Sequence, residues 1–186
     1  MQKISLEISG IAYSQTQSGS YVLTLKEKDG ERKLPIVIGG FEAQAIAVEL
    51  ENMVPSRPLT HDLFKAFAVS FGVSIKEILI YRFREGVFYS KLICEQDGKI
   101  TELDSRTSDA IAIALRTKSN IMVSNDLLDE VGSPRDDPCL RPAEQLVPAE
   151  QHEVGPGPDA LRDVFLSLAG GEQKNVRLRN VGFRTD

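Results

Sequence analysis

The sequence predicts an α+β fold in which two copies of a three-strand, two-helix motif (β3-α2) form one pseudo-twofold domain. Three observations carry that prediction. Several segments alternate apolar and polar residues with period two, the mark of strands with one buried face. Others place apolar residues three and four apart, the mark of helices packed on one side. Finally, one order occurs twice: YVLTLKEKDGERKLPIVIGGFEAQAIAVEL stands against FYSKLICEQDGKITELDSRTSDAIAIAL. In both, an Asp-Gly turn precedes a short strand and a helix that opens on an acidic residue followed by alanine, which reads as an internal duplication.

In chain order, residues 3–13 set Ile4, Leu6 and Ile8 against Lys3, Ser5 and Glu7, a first strand. Residues 21–28 form a second, closed by Asp29-Gly30. Residues 32–39 form a third, in which Pro35 lacks the N–H a central strand needs and so points to an edge or a bulge. Residues 41–52 form a helix with Ala43, Ile46, Ala47 and Leu50 on one face. A second helix starts at Thr60, a suitable N-cap, with Leu63, Phe64, Phe67 and Phe71 as its buried stripe. Strands over 74–86, 87–96 and 99–105 follow, with Asp97-Gly98 as the turn, then a helix over 106–118 that turns Ala110, Ile113 and Ala114 inward. The short strand IMVSN and the closing helix NDLLDEVG complete the second unit.

Residues 1–132 are therefore expected to form one domain, with repeats at about 1–72 and 73–132. Six of the nine prolines fall between Pro134 and Pro158, in a stretch without periodicity, so 133–158 reads as a Pro-rich linker. Beyond it, Leu161, Val164, Phe165 and Leu168 predict a short helix after Asp159, and Lys174, Arg177, Arg179 and Arg184 a basic tail ending at residue 186.

Composition narrows the function. Hydrophobic residues make up 41% of the chain and charged residues 26%, which excludes a disordered, collagenous or coiled-coil protein. No run approaches the roughly 18 apolar residues of a membrane span. The start, MQKISLEISG, lacks an apolar signal core. Cys94 and Cys139 are too few for a disulfide scaffold. No membrane partner and a cytoplasmic location are the expectation. A net charge of −5 argues against a protein that coats nucleic acid by bulk charge, while a local patch remains open. With only His61 and His152 available, a zinc site is disfavoured; a metal here would be Mg²⁺ or Mn²⁺ on carboxylates.

Three polar clusters can carry chemistry. In Gly39-Gly40-Phe41-Glu42-Ala43, two glycines lead into a helix N-terminus, a place for an anion; alternatively Glu42 only complements the helix dipole. In Arg57-Pro58-Leu59-Thr60-His61-Asp62-Leu63, His61 and Asp62 form a candidate general base and its partner, or a simple helix start. In Asp104-Ser105-Arg106-Thr107-Ser108-Asp109-Ala110, two carboxylates flank a turn where they can converge on a cation, and Arg106 can take a phosphate through two parallel bonds. The plainer alternative there is a hydroxyl-rich cap with a local ion pair. Arg82, Arg84 and Lys91 cluster on strands and read as a solvated face rather than a phosphate track, and Tyr13, Tyr21, Tyr81 and Tyr89 read as packing.

The runs IVIGGFEAQAIAVEL, RPLTHDLF, VFYSKLICEQDGKITELDSRTSDAIAIALR and IMVS together resemble the bifunctional nuclease domain over roughly residues 1–132. Where that family reads Asp-Ala-Arg-Pro-Ser-Asp, this chain departs at Ser105 and Thr107 but keeps Asp104, Arg106, Ser108 and Asp109. The resemblance implies the duplicated β3-α2 fold, a homodimer, and degradation of both DNA and RNA. The resulting expectation is a metal-assisted nuclease. Glu42, Asp104 and Asp109 would hold the divalent cation. His61, oriented by Asp62, would act as acid or base beside Asp104 and Asp109. Arg57, Arg106, Arg116 and Ser108 would meet the substrate phosphate. The competing expectation is a non-catalytic homodimeric module that binds an anionic small molecule or a protein.

Overall fold

The computed structural model describes residues 2–15 and 17–132. The expected Pro-rich linker, C-terminal helix and basic tail, with Cys139 and His152, lie outside the described residues. The elements run β1 (Lys3–Tyr13), β2 (Ser20–Glu27), β3 (Lys33–Gly39), α1 (Gly40–Leu50), α2 (Thr60–Ser70), β4 (Ser74–Arg84), β5 (Val87–Gln96), β6 (Lys99–Arg106), α3 (Thr107–Thr117), β7 (Asn120–Ser124) and α4 (Asn125–Val131). The fold is mixed α+β, as the alternation of the two periodicities predicts.

The seven strands of the described residues share one sheet, in the order β3-β2-β1-β7-β4-β5-β6. Each half supplies a three-strand antiparallel meander, and β7 lies between them, antiparallel to β1 and parallel to β4. IMVSN is thus the central strand that joins the halves, and nothing in the first half corresponds to it. The two Asp-Gly pairs also differ. Asp97 and Gly98 both have positive φ (50° and 77°), the backbone of a two-residue hairpin turn whose twist matches the strands it joins. Asp29-Gly30 instead sits in a five-residue loop, 28–32, closed by Glu27 N–H donating to Arg32 C=O.

The helices lie on one face of the sheet, and their apolar residues join those of the strands in a single core. Leu23, Leu25, Leu34, Ile78, Ile80 and Val123 meet Ala43 and Ile46 of α1, Ala110 to Ala114 of α3 and Leu127-Leu128 of α4 there. α3 crosses behind β4 to β7 with α1 and α2 beside it, so it is buried nearly all round rather than along the predicted stripe. α1 likewise buries Ala45 and Val48 in addition to Ala43, Ile46 and Ala47, while Leu50 stays exposed.

α2 overturns its expected stripe. Leu63 (66% exposed), Phe67 (58%) and Phe71 (60%) face outward, with Phe67 and Phe71 in ring contact at 4.6 Å. Only Ala68 is buried, and Phe64 is partly buried against the core. The apolar periodicity is real, but the core already belongs to α3, so most of the α2 stripe has nothing in the described chain to pack against. None of the described helices is long and apolar enough to cross a membrane.

Candidate functional site

Three helices begin on the same side of the molecule, each with an acid at its third position: Glu42 on α1, Asp62 on α2 and Asp109 on α3. An acid there complements the partial positive charge of the helix start. Of the three, Asp62 accepts a backbone N–H at the start of its own helix. The N-cap is Leu59 rather than the expected Thr60, and Leu59 N–H donates to Asp62 Oδ2 at 2.7 Å. Glu42 and Asp109 turn instead to Arg106, the last residue of β6 and the N-cap of α3.

Arg106 donates from Nη1 to Glu42 Oε1 (2.9 Å), from Nε to Asp109 Oδ2 (2.7 Å) and from Nη2 to Asp109 Oδ1 (3.2 Å). Its side chain is nonetheless 69% exposed, so the guanidinium is fixed from below and open from above. His61 closes the set: its Nε2 lies 3.1 Å from Asp109 Oδ1, and its side chain is 14% exposed. The sequence pairs His61 with its neighbour Asp62; the fold pairs it with Asp109, 48 residues away. Gly39 makes room for the arrangement, because a side chain there would run into the Glu42 carboxylate.

Asp62 serves a different arginine. Arg116 Nε donates to Asp62 Oδ1 at 2.6 Å, and Arg116 Nη1 donates to the carbonyls of Ala45 and Ala112 at 3.1 and 3.0 Å. At 1% side-chain exposure Arg116 ties α1, α2 and α3 together from inside and does not reach a phosphate. Arg116 Nη2 is the one buried side-chain nitrogen or oxygen without a hydrogen-bond partner among the described residues.

Burial would raise the carboxyls of Asp109 and Asp62, yet both are held below the usual range. For Asp109 the hydrogen bonds and charges of Arg106 and His61 outweigh desolvation. For Asp62 the Leu59 N–H and Arg116 do so. The guanidinium of Arg106 is raised chiefly by its hydrogen bond to Asp109. Cys94, buried in the core, has its thiol pushed up by desolvation and is not a candidate nucleophile.

Of the remaining candidates, Ser108 follows Arg106 in the first turn of α3, half-buried, and Arg57 lies exposed in the connection between α1 and α2. Asp104 is elsewhere. It pairs in register with Lys91, and its neighbours Leu103 and Ser105 pair with the buried Leu92 and Ser90. Strand alternation therefore puts Asp104 on the face of the sheet away from the helices. Among the described residues no three His, Cys, Asp or Glu side chains gather as a metal site. With Glu42 and Asp109 both occupied by Arg106, the residues present do not fit a tightly held divalent cation.

The fold and site together define a class: an α+β domain that presents a histidine, two carboxylates and an open guanidinium where its helices begin. A family model, the bifunctional nuclease domain, matches residues 23–136, and the chain belongs to that family. It is 42% identical over 127 residues to an uncharacterized protein of Mycobacterium tuberculosis (strain H37Rv), covering 68% of this chain and 75% of that one. It is 27% identical over 137 residues to Bifunctional nuclease 1 of Oryza sativa subsp. japonica, covering 72% of this chain and 41% of the rice protein.

Proposed function

We propose that this protein is a nuclease that hydrolyses phosphodiester bonds of DNA and RNA, with His61, Asp109, Arg106 and Glu42 as its site. The observation that carries the reading is the arginine that two carboxylates hold in place while its outer side faces solvent. A guanidinium so fixed meets a phosphate without reorganising, and its charge offsets the charge that builds on the phosphoryl oxygens. With Nε2–H given to Asp109, the imidazole keeps Nδ1 free to take a proton from the attacking hydroxyl or water. Asp109 both orients the ring and stabilises the imidazolium that forms. Glu42 positions Arg106, and Ser108 and Arg57 supply further phosphate contacts.

The test of this reading is cleavage of single-stranded DNA, duplex DNA and RNA by the purified chain in EDTA, Mg²⁺ and Mn²⁺, beside Arg106→Ala. Cleavage that persists in EDTA and falls at least about a hundredfold in the variant is the expected result. Cleavage unaffected by Arg106→Ala would overturn it.

A second reading rests on α2. Its outward Leu63, Phe67 and Phe71 fall four residues apart along one helix face, with Phe67 and Phe71 in ring contact, an exposed apolar stripe of the kind that marks an interface. We infer a homodimer that buries this surface, either as the active enzyme or as a non-catalytic binding module. Sedimentation of Phe67→Glu tests it: a dimeric parent and a monomeric variant support the homodimer, and a monomeric parent removes it. The two meanders, each followed by a helix, favour descent from a duplicated β3-α2 unit with β7 added in the second half. Residues 1–132 as one domain, 133–158 as a linker and a cytoplasmic location complete the proposal.

A further inference from the structure

The face of the sheet opposite the helices carries no described element, and most of it is self-neutralised. Lys26 pairs with Glu7, Lys3 with Glu77 and Lys91 with Glu102. One end differs. The β4–β5 register shifts between Ile80 and Arg82, so Tyr81 is an extra, bulged residue and Arg82 pairs with Tyr89. Because Ile80 and Ser90 are buried on the helix side, the pair after the bulge, Arg82 and Tyr89, lies on the open side. Tyr81 shares that side, since Lys91 sits over its ring at 5.3 Å. The bulge therefore brings a tyrosine and an arginine, consecutive in sequence, to one face.

Tyr89 is 37% exposed, and across the three strands its register partners are Arg82 on β4 and Arg106 on β6. Arg82 is exposed and forms no ion pair among the described residues. Arg106, at the end of β6, turns its guanidinium to Glu42 and Asp109. The row Arg82–Tyr89–Arg106 thus runs from the open face of the sheet to the site. We propose that this row is a binding track for single-stranded nucleic acid: bases stack on Tyr89, with Tyr81 beside it, and Arg82 takes a backbone phosphate. The track rests on the nuclease reading and adds its substrate class. An exposed ring with an unpaired arginine as its register partner on the next strand suits unpaired bases, whose faces are free, and not duplex bases, whose faces are stacked. Asp104 and Glu102 beside Lys91 confine the cationic part of the face to the Arg82 end.

The test measures binding and turnover separately. Anisotropy of labelled oligo(dT) and oligo(rU) is titrated with the full chain carrying His61→Ala to stop cleavage, with and without Tyr89→Ala, Tyr89→Phe or Arg82→Ala. KM and kcat are measured for the same substitutions at the tyrosine and arginine in the otherwise native chain. Tyr89→Ala should weaken binding about five- to a hundredfold, from the usual worth of one base stacked on an aromatic ring. Tyr89→Phe should keep it. Arg82→Ala should weaken it and lower the salt slope by about one. KM should rise for Tyr89→Ala and Arg82→Ala while kcat holds, and duplex DNA should bind more weakly than either oligonucleotide. If the native chain cleaves and neither substitution changes affinity or KM, the track is wrong and the nuclease reading stands. If binding depends on Tyr89 but no cleavage occurs, the track stands and the nuclease reading falls. A chain that neither binds nor cleaves overturns both.

Discussion

Helices α2 and α3 are each eleven residues long, and both carry an apolar stripe, yet they are held in opposite ways. α3 is embedded: Ala110 to Ala114 are buried without interruption between the sheet and its two neighbouring helices. α2 buries Ala68 alone and is fastened to α3 by two polar clasps, His61 on Asp109 and Asp62 on Arg116. The difference teaches that an apolar stripe states that a face will be covered, and not by what. In α3 the cover is the chain itself. In α2 the stripe points away, and polar groups at its first turn fix its position. One of the two clasps, His61 on Asp109, also belongs to the candidate site, so the attachment of α2 and the chemistry share residues.

The largest effect expected comes from cutting the inner clasp. Arg116→Ala leaves Asp62 without its partner and opens a hole among three helices. It should cost about 3–5 kcal/mol in denaturant unfolding, through the cavity left by a large buried side chain and the lost hydrogen bonds to Asp62 and to the carbonyls of Ala45 and Ala112. Next, Ile111→Ala in α3 should cost about 2–5 kcal/mol through the cavity it leaves. A similar loss for Val69→Ala in α2, 68% exposed and outside the Leu63–Phe67–Phe71 stripe, where about 0.5 kcal/mol or less is expected of an outward residue, would erase the contrast between the helices.

Acid sharpens the comparison further. Asp62 and Asp109 have folded-state carboxyls below their unfolded values, so their stabilisation is fully present above the ordinary aspartate value of about 3.9. It is lost as pH falls through the lowered folded values. The chain should therefore lose stability below about pH 4. Asp109→Asn should be less stable than the parent at pH 7, by about 1 kcal/mol for a hydrogen-bonded pair open to solvent, with the gap closing as pH drops. Melting curves from pH 7 to 3 check both the sign and the window.

Much of the fold was readable because its signals are local. The period of Ile4, Leu6 and Ile8, the two positive-φ residues at Asp97-Gly98 and the run of small apolar residues in α3 each announce their own structure. The position of β7 was not readable. Five residues carry no mark of their partners, and the sheet order depends on long-range pairing. The stripe of α2 misled because amphipathicity does not distinguish a core from an outer surface. At the site, the residue types were legible and the pairings were not. His61 beside Asp62 is the obvious couple in sequence, but consecutive helical residues point about 100° apart, and each finds its partner on α3. Asp104 and Arg106 share one short motif, yet Asp104 falls on the far side of the sheet while Arg106, at the strand end, turns toward the helices. Tyr89 and Arg82 read as packing and solvated surface because the bulge at Tyr81 that brings Tyr81 and Arg82 to one face leaves no trace in a single sequence.

In the proposed nuclease, the groups at the start of α2 and α3 perform chemistry beyond fastening one helix to another. Cleavage of single-stranded DNA and RNA by His61→Ala, measured beside its melting temperature, tests this most directly. Cleavage should fall at least about a hundredfold, the usual contribution of a general base, with the melting temperature within a few degrees of the parent. Undiminished cleavage by a folded His61→Ala chain would contradict it, and would leave the cluster as a clasp alone.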